Sequence, residues 1–125
     1  MLLKFARPFV VTLAVAFSLP AAAQDKTGFA SVIDDLPLMA GLVEAGEGVE
    51  FSSAQGRIAE VYAQGHLSQA AVEGFYAKTL PHLGWTRVSG KDVMYKREGE
   101  TLTLLFTNKD GALGVRFYLV PGAGK

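Results

Sequence analysis

Residues 67–85, LSQAAVEGFYAKTLPHLGW, place Val72, Phe75, Tyr76, Leu80 and Leu83, with Thr79 among them, at i, i+3, i+4 spacing. Those positions share one face of an α-helix, and that face requires burial. Ser68 is suited to accept a hydrogen bond from the free amides of a first turn, with Leu67 and Val72 placed as a hydrophobic staple. Pro81 has no amide for the carbonyl of Ala77, so a regular helix is expected to about Leu80, with Gly84 ending the segment.

On either side the pattern has period two. Residues 49–51 and 57–63 read as strands around the turn SSAQG, and residues 85–88, 93–97, 101–107 and 113–120 read as further short strands. Asn108-Lys109-Asp110-Gly111 suits a type I turn with glycine in the left-handed position. Leu102, Leu104 and Phe106 point one way, as do Leu113, Val115, Phe117 and Leu119, and both rows are expected to face the helix. The opposite face carries Thr103, Leu105, Thr107, Arg116 and Tyr118. The economical arrangement is α+β: a single antiparallel sheet of four to five short strands with one amphipathic helix packed on one face, in β-α-β-β-β order.

Residues 24–48 are the least regular. A short helix over 27–36 would align Phe29, Val32, Ile33 and Leu36, but Pro37 ends it, and Gly41, Gly46 and Gly48 oppose regular structure afterwards. The segment therefore reads as an irregular arm before a domain at 49–121 and a flexible tail at 122–125. Leu36, Leu38, Met39 and Leu42 are too apolar to lie in water, so they pack on their own domain or await a partner.

Residues 1–23 show Lys4 and Arg7, an apolar run from Phe9 to Leu19, then Pro20 and three alanines. This is the layout of a secretory signal peptide cleaved near Ala23, and the run is too short for a membrane span. With no cysteine, neither a lipid-attachment site nor a disulfide framework is expected. A periplasmic or secreted protein follows. The remaining residues suffice for one modest domain.

Loss of Lys4 and Arg7 leaves a weakly acidic chain, which argues against a nucleic-acid partner. Residues 24–60 carry net −5 and residues 61–125 net +3, so the two halves are expected to attract.

Candidate chemistry is sparse. His66 and His82 lack the spacing and companions of a zinc site and read as surface histidines, with no metal or cofactor expected. Asp34-Asp35 are adjacent, whereas acid–base catalysis needs two groups disposed around a substrate. The serines lack an activating context, and the glycines match no phosphate loop. No catalytic residue is assigned. Arg87, Lys91, Lys96 and Arg97 share a hairpin with Trp85 and Tyr95, and Arg116 and Tyr118 are expected nearby. Such a basic and aromatic surface suits an anionic ligand or envelope polymer, unless the acidic arm folds over it.

Phe75-Tyr76 in mid-helix, Gly84-Trp85 at its exit and the DDLPLMAGL arm resemble small exported domains of Gram-negative bacteria to which no function is assigned. The resemblance implies export and an α+β fold, and carries over no activity. Two functions are therefore expected. The first is a non-enzymatic interaction module for another envelope protein, using the sheet face or the arm through Leu38 and Met39. The second is a binder of an anionic ligand through Arg87, Lys96, Arg116 and Tyr118.

Overall fold

The computed structural model describes Thr12, Ala14 and residues 28–90 and 92–122. The expected signal peptide, the start of the expected 27–36 helix, Lys91 and residues 123–125 lie outside or largely outside those residues. The elements run β1 (Val43–Glu44), β2 (Val49–Ser53), β3 (Gly56–Gly65), α1 (Gln69–Thr79), a 3-10 turn (Leu80–Leu83), β4 (Thr86–Val88), β5 (Val93–Arg97), β6 (Glu100–Lys109) and β7 (Ala112–Pro121).

The helix has local causes. Ser68 accepts from the Ala71 amide at 3.0 Å and so caps the first turn. Pro81 lacks an amide, and the chain tightens into the 3-10 turn from Leu80 before Gly84 ends it at φ 94°. Val72, Tyr76 and Leu80 are the fully buried anchors, each worth about 1.5 to 3 kcal/mol of apolar burial. Phe75 is only partly buried, with its ring edge-on to Tyr76 at 4.9 Å.

The sheet corrects the expected strand count. Among the described residues it has seven strands, all paired antiparallel, in the order β1-β3-β7-β6-β5-β4, with β2 also pairing β3. Three strands precede the helix and four follow it, instead of the expected β-α-β-β-β sequence. One of the seven strands has no counterpart among the ranges read from the sequence. β1 is a two-residue strand hidden in the glycine-rich arm, and it shares the outer edge of β3 with β2. Glu98-Gly99 and Asp110-Gly111 all take positive φ, so both are two-residue hairpin turns, and the second is tighter than expected and lets its flanking strands extend. The expected four-residue type I turn at 108–111 is therefore replaced by strand residues through Lys109.

The arm belongs to the core. From residue 28 onward there is no helix before β1; Phe29 bridges Pro37, and Ala30 donates to the Leu36 carbonyl at 2.9 Å. A turn at Asp34-Asp35 reverses the chain, which buries Ala30, Ile33 and Leu36 without a helix. These side chains and Leu42 join Val72, Tyr76 and Leu80 against Val61, Ala63, Leu102, Leu104, Leu113, Val115, Phe117 and Leu119. One face of the sheet is thus covered by α1 and the arm.

Candidate interaction surface

The register defines what lies on the other face, because residues paired across an antiparallel ladder project to the same side. One row runs Val49, Glu60, Tyr118, Thr103, Met94 and Val88, and a second runs Phe51 and Ile58 toward Val120, Thr101 and Lys96. Tyr62, Arg116 and Leu105 form a third, and Val43, Gln64, Gly114 and Thr107 a fourth.

Among the described residues six large apolar side chains are exposed, and five of them stand on this face: Val43, Val49, Phe51, Leu105 and Tyr118, between 37% and 67% exposed. Phe29, on the arm, is the sixth. Half-buried Ile58, Met94 and Val120 stand on the same face. Charge on the face is partly matched, with Arg116 Nε 3.6 Å from a Glu60 oxygen, while Lys96 stands at the β5 end. The hydroxyl end of Tyr62 reaches over Gly114: a Cβ there would collide with that hydroxyl and stand 2.6 Å from Thr107 Oγ1. The glycine thus admits an aromatic ring onto the sheet surface.

The basic and aromatic hairpin residues separate on folding. Lys96, Arg116 and Tyr118 share the face that no described helix covers, whereas Arg87 lies on the helix side, 5.7 Å from the ring of Tyr95. Trp85 and Tyr95 are buried. Burial raises the Tyr95 phenol above its ordinary pKa. Arg97 stacks on Trp85 at 4.3 Å and donates to Asp35 Oδ2 at 2.6 Å and to the Leu83 carbonyl at 3.0 Å. The Arg97 hydrogen bond holds the Asp35 carboxyl below its ordinary pKa. Leu38 and Met39 are partly buried against the core, and the Met39 amide donates to Tyr76 Oη at 3.3 Å.

His66 and His82 are exposed, and among the described residues no group of three or more His, Cys, Asp or Glu is placed to hold a metal ion. A cleft of about 240 Å³ lies between α1 and the β5–β6 pair, with Glu73, Arg87 and Asp92 at its rim. Three of its polar side chains are already engaged: Gln69 donates to Glu73 at 2.7 Å, and Arg87 donates to the Val88 carbonyl.

The alternation of Val49 with Phe51 and of Leu105 with Thr103 was the available signal for the exposed set, but it does not say which strand lies at an edge or which face the arm covers. Among the described residues no helix is long and apolar enough to cross a membrane. The chain matches no protein-family profile, no curated protein and no solved structure.

Proposed function

We propose that the protein is an exported, periplasmic, non-enzymatic interaction module that presents the helix-free face of its sheet to another envelope protein. The observation that carries this reading is the segregation of five exposed apolar side chains onto one face. Exposed apolar side chains gathered on one face are costly in water and characteristic of interaction sites. The signal-peptide layout of residues 1–23 supports export.

The arm contributes to this face by leaving it open. Ile33, Leu36 and Leu42 of the arm are buried on the opposite side of the sheet and Leu38 and Met39 pack against that core, so Leu38 and Met39 are less suited to a partner than Leu105 and Tyr118. Binding of an anionic polymer has less support, because Arg97 and Arg116 already face carboxylates and Arg87 stands on the other side of the sheet. The test is capture of envelope proteins on immobilised protein. Leu105→Asp combined with Tyr118→Asp should abolish a specific capture that Lys78→Asp, on the helix side, retains. Equal capture by both variants would remove the sheet face from the proposal.

A further inference from the structure

The backbone of β2 points to a specific partner for its outer edge. The Ala45 amide donates to the Tyr62 carbonyl at 2.8 Å, so the even-numbered residues of β3 turn their backbone groups toward β1 and β2. Through the register, Val49, Phe51 and Ser53 are then the residues bonded to Glu60, Ile58 and Gly56. Glu50 and Ser52 direct their N–H and C=O groups the other way, to an edge that no described strand occupies.

Such groups are matched by another extended backbone, and proteins ordinarily protect long edges with lysine, proline or extreme shortness. The other edge of the sheet has that protection, because β4 spans only three residues. β2 has five residues, all exposed, with no lysine or proline and with Val49 and Phe51 on the helix-free face.

We propose that β2 pairs antiparallel with β2 of a second copy of this chain, about a two-fold axis at Phe51, so that two sheets join into one. The strand is self-complementary in that register. Glu50 meets the partner's Ser52, and Ser52 meets the partner's Glu50; all four residues supply outward-directed backbone groups, so both pairs exchange hydrogen bonds. Phe51 meets the partner's Phe51 at the closer, non-bonded position, where aromatic side chains on the same face touch. The neighbouring registers are poorer. An axis at Glu50 sets like charges directly opposite, and an axis at Ser52 places Glu50 against the turn residue Ala54. A closed two-fold pair uses the edge once in each copy and leaves none to propagate. This inference rests on the β2 edge and holds whatever protein occupies the sheet face.

Sedimentation equilibrium of the purified protein tests it. The mass should double with rising concentration, and Ser52→Pro should remain monomeric with unchanged circular dichroism and melting, because the proline removes only an outward amide. Phe51→Asp and Phe51→Lys should each lose association at least tenfold, and an equimolar mixture of the two should regain it, since only an axis at residue 51 sets those side chains face to face. The mixture also decides the matter should Ser52→Pro fail to fold. A wild-type monomer up to about 1 mM, a folded Ser52→Pro dimer, or a mixture that stays monomeric would overturn the proposal. Leu105→Asp, away from this edge, should leave the dimer intact, so loss of partner capture and loss of pairing are separate readouts.

Discussion

The Arg97 guanidinium donates to Asp35 Oδ2 at 2.6 Å, across 62 residues of sequence, while its central carbon stands over the Trp85 ring, 4.3 Å from the ring centre. One side chain thus ties the arm, the helix exit and the β5 strand together. Arg97→Ala should cost about 2 to 4 kcal/mol, because it removes a partly buried stack and the donor to the Leu83 carbonyl. Asp35→Asn should cost only about 0.5 to 1 kcal/mol, since that carboxylate is nearly half exposed and solvent screens the pair. Urea denaturation measures both, and an equal cost would mean that the ion pair outweighs the stack.

The same pair sets an acid limb. The Asp35 carboxyl has a folded-state pKa below its ordinary value near 3.8, chiefly through its hydrogen bond from Arg97. A depressed carboxylate contributes stability above its unfolded pKa and loses it as the pH falls through the folded one. The stability difference between wild type and Asp35→Asn should therefore be present at pH 7 and shrink below about pH 4. A difference independent of pH would contradict this assignment.

Tyr76 sets the alkaline limb. Its hydroxyl donates to the Pro37 carbonyl at 2.7 Å and accepts from the Met39 amide at 3.3 Å, inside the core. Burial raises the phenol far above its ordinary value of 10.0. A raised pKa means that the contribution is intact below the unfolded value and declines as the pH rises past it toward the folded one. Stability should fall above about pH 10, and Tyr76→Phe should weaken that fall. At neutral pH Tyr76→Phe should itself cost about 1 to 3 kcal/mol, because two backbone groups of the arm lose their partner.

Gly65 tests how the arm seats on β3. A Cβ at this position would collide with the backbone carbonyl of Gly41 and lie 3.0 Å from its carbon. Backbone must move, so Gly65→Ala should cost about 1 to 3 kcal/mol and speed hydrogen exchange in residues 36–42. Gly74→Ala, where nothing lies within 4 Å, is the control and should be neutral or slightly stabilising. Comparable losses in both variants would show that the arm is not held at Gly65.

Legibility in the sequence followed the range of the interactions. Ser68, Pro81 and Gly84 act within a few residues, and they marked the helix and its loosened last turn. Alternation likewise identified the inward rows Leu102–Leu104 and Leu113–Leu119. The strand count was missed because β1 owes its strand conformation to pairing with Gln64 and Ala63, not to its own two residues. The docked arm depends on Phe29 meeting Pro37 and on Asp35 reaching Arg97, contacts that residue spacing does not encode. The candidate surface was half legible: Arg116 and Tyr118 alternate with core residues, whereas the exposure of Val49 and Phe51 follows from β2 lying at an edge.

The central claim is that the helix-free sheet face is where a partner sits. Site-specific photocrosslinking in cells tests it most directly, with the crosslinker placed at Tyr118 on that face and, separately, at Lys78 on the exposed side of α1. The account predicts a discrete adduct with another protein from position 118 and none from position 78. An adduct from 78 alone, or from neither position, would contradict it.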